Sequence, residues 1–176
     1  MNRSNRYVFV PFCALAQGVR AQGIVRDYPA VINPIIRMLA DNNVNIVQMP
    51  CPELFFDGFT RRPKQKGAYD TPQNREVYKK VAKIVADQIS MLQSAGCEII
   101  AILGIEFSPS CAVSQLTGPP PQRFIKGKGI FIEELEVLLR HVTPKPRLIG
   151  IRTRHIESTL AELASALHEQ TLFPKE

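Results

Sequence analysis

A chain of 176 residues can bury a substantial core and is expected to form one domain over residues 1–176. Four cysteines are too few for a disulfide-stapled scaffold, and no apolar run approaches the roughly 18 residues of a membrane span, so neither a small secreted framework nor a membrane protein is expected. The net charge of +6 favours anionic ligands or RNA without singling out either.

The opening stretch MNRSNRYVFVPFCALAQG imitates a secretory signal peptide with an Ala-Leu-Ala cleavage site. Its apolar part is short and is interrupted by Pro11. Cleavage after Ala16 would also remove RYVFVPF (6–12), which reads as a buried first strand. The expectation is therefore a cytoplasmic, reduced protein whose thiols are free to bind metal. NPIIRMLADNN reads as a helix, with Asn33 as N-cap and Pro34 at the first helical position. NVNIVQM is a second strand, followed by a long polar loop from Leu54 to about Thr71.

TPQNREVYKKVAKIVADQISMLQSAG is the clearest helix. Thr71 caps it, Pro72 opens it and Gly96 closes it in a left-handed conformation. Val77, Val81, Ile84, Val85, Ile89 and Leu92 form its apolar stripe. CEIIAILGI is a third strand, apolar enough to be covered on both faces. A second long loop, EFSPSCAVSQLTGPPPQRFIKGKG, leads to a helix (IFIEELEVLLRHV), a fourth strand (RLIGIRT) and a closing helix (IESTLAELASALHEQ).

This alternation predicts a Rossmann-like three-layer α/β fold with a mainly parallel sheet. Such sheets bind ligands beyond the carboxyl ends of their strands. Cys13, Cys51 and Cys111 each follow the end of a different strand, whereas Cys97 begins the third strand at the opposite edge. Both long loops leave the same rim, and loops of that length are often lids or binding loops.

Three thiolates can hold an iron–sulfur cluster, zinc or copper, or act as redox thiols. No CxxC motif separates these readings. Three thiolates on a four-iron cluster leave one iron open as a Lewis acid. Zinc would need a fourth ligand such as His155. Three unrelated interior thiols are the plain alternative. Two prolines flank Cys51 and stiffen the backbone that carries it. Glu53 can shuttle a proton or position water, or be a solvated loop residue. Ser108 and Ser110 can donate to a sulfur or a substrate oxygen, or simply shape a turn.

Other features have two readings as well. TRRPKQKG, with the basic run 61–66, can meet a phosphate or RNA backbone, and more ordinarily is a solvated lid. The glycines of IKGKGIF precede a helix whose free amides can dock an anion, or form a flexible turn. Arg152, Arg154 and His155 follow the fourth strand on the ligand rim. His141 and His168 lie in helical stretches without partner histidines at ligand spacing and read as structural.

FCALAQG, PCPELFFDG and GIEFSPSCAV resemble the thiouracil desulfidases and their uncharacterised relatives, and KGKGIFIEEL resembles a further segment of one related subgroup. The resemblance covers about residues 7 to 152. It implies a 4Fe-4S cluster held by Cys13, Cys51 and Cys111 with one iron open. It further implies a catalytic or substrate-contacting Glu53, and carries the first serine of the SPSC motif onto Ser108. The implied reaction removes sulfur from a thiocarbonyl heterocycle, giving the oxo compound and hydrogen sulfide without net electron transfer. Consistent with that, the chain has neither a GxGxxG nor a Walker motif.

A small thio-heterocycle and the cluster assembly machinery are the implied partners. The alternatives are a sulfur-handling enzyme acting on RNA, or a non-enzymatic iron–sulfur or zinc-binding sensor or carrier. Two departures bear on the substrate. Ala112 follows Cys111 where relatives usually have glycine, so its methyl is expected to narrow the substrate space or demand another backbone angle. CALAQGVRAQG also differs from the Cys-Leu-Leu-Gly form, followed by a second cysteine, of the characterised branch.

Overall fold

The computed structural model describes residues 3–121 and 123–169. Strand β1 (Arg6–Pro11) runs into a single helical turn, α1 (Phe12–Leu15). Helix α2 (Asn33–Asp41) and strand β2 (Asn45–Met49) follow. Ile32, not Asn33, holds the N-cap position of α2, and no side chain caps it; Pro34 sits in the first turn as expected. The polar segment after β2 is not a plain loop. It folds into α3 (Pro52–Asp57) and α4 (Lys66–Tyr69), turns too short to give a periodic signal.

Helix α5 (Pro72–Ser94) matches its prediction closely. Thr71 Oγ1 accepts the Asn74 amide at 3.2 Å, and Gly96 ends the segment at φ 76°. Its buried face is shifted from the expected stripe. Ile84 is 52% exposed, while Tyr78, Ala82 and Ala86 are buried beside Val81, Val85 and Ile89.

Strand β3 (Glu98–Ile105) is buried along almost its whole length. The second long loop contains a small antiparallel hairpin, β4 (Gln115–Thr117) and β5 (Phe124–Lys126). Helix α6 (Ile130–Leu138) is shorter than expected. Strand β6 (Arg147–Ile151) and helix α7 (Ile156–Glu169) close the described chain; Gln170, the last residue of the expected helix, lies outside the described residues.

The main sheet has the order β2-β1-β3-β6 and every pairing is parallel, so the fold is the expected Rossmann-like three-layer α/β arrangement. Alternation along β1 divides the core. Val8 and Val10 face Ile35, Leu39, Leu163 and Leu167 of α2 and α7; Phe9 faces Tyr78, Val85, Ile89 and Leu135 of α5 and α6. Each such fully buried side chain contributes about 1.5–3 kcal/mol. A register shift between β1 and β3 inserts one residue, so Ile100 and Ala101 both face the α2–α7 layer. The chain turns from β1 to β2 on one side and to β3 on the other, which makes the β1–β3 boundary the topological switch point. Among the described residues no helix is long and apolar enough to cross a membrane.

Candidate functional site

Because β2, β1 and β3 are neighbours and parallel, their carboxyl ends carry Cys51, Cys13 and Cys111 to one rim. Cys13 lies in the turn of α1, where the Gln17 side chain binds its carbonyl. Cys51 is the N-cap residue of α3, held between Pro50 and Pro52 in an extended backbone, and Glu53 falls in the first turn after it. Cys97 stands at the other end of β3.

The third cysteine is carried by a rigid loop. Ser108 Oγ accepts the amides of Ser110 and Cys111 at 3.2 and 3.1 Å. The Tyr78 hydroxyl meets Ser110 Oγ at 2.8 Å inside the core. The first amides of α6, from Ile130 and Phe131, donate to the carbonyls of Pro109 and Ser110 at 3.0 Å. These amides are therefore spent on the loop, which leaves the turn rather than the anion-docking reading of IKGKGIF. Phe107 has φ 69°, a left-handed conformation that a bulky residue adopts only under constraint. Close packing adds to the rigidity. A Cβ on Gly104 would lie 2.0 Å from the Cys111 carbonyl oxygen, and one on Gly129 would lie 2.2 Å from that of Ser110.

Cys13, Cys51, Cys111, Glu53 and Ser108 all line one cavity of about 490 Å³. Burial pushes the Cys13 thiol up to about 12; Arg20 opposes the rise, and Cys51 and Glu53 add to it. Burial likewise raises Cys51, with Glu53 adding and Arg61 opposing. Cys111 is raised well above its ordinary value by burial, then by Cys51, Cys13 and Glu53, with the Ser108 hydrogen bond opposing. The three thiols and the carboxylate thus lie within one another's electrostatic reach. Without a cation between them the thiols stay protonated, and metal capture must release those protons.

Soft thiol donors of this kind can hold an iron–sulfur cluster, zinc or copper. Among the described residues no three His, Cys, Asp or Glu groups stand close enough together to share one metal ion. A zinc site completed by His155 is therefore not assembled, although His155 lines the same cavity. Cysteine thiolates, here carried by three adjacent strand ends, are the ligand type that iron–sulfur clusters take.

Glu53 is held by both carboxylate oxygens. Arg61 Nε donates to Oε2 at 3.1 Å, and Ser108 Oγ donates to Oε1 at 3.4 Å. Ser108 therefore shapes the turn and touches Glu53 as well. The basic run is not a solvated lid throughout. Arg61 is buried, Lys64 pairs with Asp57 at 2.7 Å, and Lys66 in α4 pairs with Glu133.

Glu106, only 3% exposed, also lines the cavity and was not singled out as a candidate from the motifs. Its carboxylate accepts from the Ser114 hydroxyl at 2.6 Å, the Gln115 amide at 2.9 Å and Arg152, which also lines the cavity, at 3.4 Å. A Cβ on Gly150 would fall 2.0 Å from it. Its signal was a charged residue placed directly after a buried strand, at the ligand edge. Ala112 is fully buried and has no left-handed φ. Its methyl does not line the cavity.

No family model matches the chain. It is similar to an uncharacterized protein of Methanocaldococcus jannaschii, with 29% identity over 140 residues, 80% of this chain and 86% of that one. Among solved structures it is similar to a 4Fe-4S-dependent thiouracil desulfidase, with a TM-score of 0.49 and 18% identity, over 91% of this chain and 99% of that one.

Proposed function

We propose that the chain is a desulfidase of small thiocarbonyl heterocycles of the thiouracil type, using a 4Fe-4S cluster held by Cys13, Cys51 and Cys111. The observation that supports it most is the convergence of those thiols with Glu53 and Ser108 on one cavity at the carboxyl ends of three adjacent strands. When bound, the cluster supplies an iron with a vacant position, a Lewis acid for a soft sulfur atom.

The chain's own groups do the rest. Phe107 and Phe124 pack against each other with centroids 4.3 Å apart and planes tilted by 38°, and offer an apolar wall for a planar ring. Glu53 takes a proton from the attacking water at its carboxylate, whose direction is set by Arg61 and Ser108. Water supplies the oxygen of the new carbonyl and both hydrogens of the hydrogen sulfide released. Atoms and electrons balance, and no oxidant or reductant is consumed.

Anaerobic reconstitution tests the reading. Iron and sulfide content with a visible spectrum establishes the cluster, and sulfide release from 2-thiouracil and related thio-heterocycles establishes the reaction. Glu53→Gln is expected to keep the cluster and to lower turnover by about 10²-fold or more. An intact cluster that releases no sulfide from any thio-heterocycle refutes desulfidation.

A second reading, a sulfur-handling enzyme acting on RNA, is favoured by the guanidinium groups of Arg20, Arg26, Arg123 and Arg154 around the cavity. Binding of RNA that weakens steeply with salt distinguishes it.

A further inference from the structure

Arg61 is the one cation among the buried described residues, at 6% exposure. Its guanidinium is a rigid fork of N–H donors that cannot be deprotonated, and burying it is costly unless each donor is used. Nη1 donates to the Gly58 carbonyl and Nε to Glu53 Oε2, both at 3.1 Å. Nη2 points at Cys51 Sγ, 3.9 Å away. A neutral thiol is a weak acceptor and a poor partner for a buried cation. An iron-bound thiolate is a good one, because it carries negative charge. The backbone of Arg61 is tied independently: its carbonyl accepts the Gln22 amide at 2.9 Å. The segment therefore has an anchor that does not need the guanidinium.

We propose that Arg61 is a positioning residue of the site, joining the Glu53 carboxylate and the Cys51 sulfur through one side chain. This rests on the cluster reading above. The cation offsets charge on the cluster through Cys51, and the fork fixes where Glu53 stands. The two effects are separable: a lysine keeps the charge and loses the fork.

The test uses the full chain, reconstituted anaerobically, as wild type, Arg61→Lys and Arg61→Met, with thermal melts to monitor folding. Removing a positive charge beside a cluster thiolate disfavours the reduced state. Arg61→Met is expected to shift the cluster reduction potential to more negative values and to lower kcat with little change in KM. Arg61→Lys is expected to restore most of the potential and little of the kcat. A wild-type potential and kcat in Arg61→Met overturn the proposal. Should Arg61→Met fail to hold iron, Arg61→Lys decides alone, and a wild-type kcat in it refutes the positioning role. A wild type that binds no cluster refutes the cluster reading itself. A wild type that holds a cluster but releases no sulfide refutes only the reaction, and the potentials of the variants still judge Arg61.

Discussion

Raising the pH of the cluster-free protein is expected to destabilise it through its three rim thiols, with Cys13 as the measurable case. The Cys13 thiol ionises ordinarily near 9.0 and is pushed up to about 12 in the fold, chiefly by burial. The folded state therefore holds its proton more tightly than the unfolded state. The stabilising contribution is complete below pH 9 and is lost as the pH climbs toward 12, because the unfolded chain ionises first. At pH 10 the loss from Cys13 alone is about 1.4 kcal/mol, and by pH 12 it is about 4 kcal/mol.

Cys51 and Cys111 are raised by the same cause and add in the same direction. Tyr69 and Tyr78 are also raised, but from an ordinary value of 10.0, so most of their effect comes at higher pH. The assay is urea denaturation of metal-free protein at pH 7, 9 and 10, under reductant without oxygen, with Cys13→Ala in parallel. The variant is expected to lose about 1.4 kcal/mol less than wild type between neutral pH and pH 10. Equal pH slopes in the two proteins refute the buried, coupled environment assigned to Cys13.

Gly104→Ala would place a methyl 2.0 Å from the Cys111 carbonyl oxygen. It is expected to cost about 1–3 kcal/mol in chemical denaturation and to lower iron retention on reconstitution, since the third cysteine must move. Phe124 is 55% exposed, so its loss should hardly disturb the core. Phe124→Ala is expected to raise KM for a thio-heterocycle several-fold, with the cluster spectrum unchanged; an unaltered KM removes the Phe107–Phe124 wall from substrate binding.

The legibility of the elements followed their length and repetition. Helix α5 has 23 residues, a Thr-Pro start and a glycine stop, so propensity, capping and periodicity agree. Ile84 misled because the α5 stripe, judged by hydrophobicity alone, centres on the branched residues. The actual packing face turns toward Tyr78 and two small alanines that let α6 approach. The turns α3 and α4 were invisible, since four to six residues hold too little of a helical period. Arg61 looked like any member of a basic run. Its burial depends on Glu53 and Gly58 meeting it from the preceding turn, and no local pattern announces that contact.

From its order of residues alone, this chain determines a parallel α/β sheet and the edge at which Cys13, Cys51 and Cys111 emerge, because strand direction and alternation are local properties. The tertiary structure decided the rest: that β2, β1 and β3 are immediate neighbours, that their thiols share one cavity with Glu53, and that a buried arginine bridges the carboxylate and a sulfur. These depend on strand order and on contacts between segments far apart in the chain, where packing energy and charge pairing act without leaving a periodic trace.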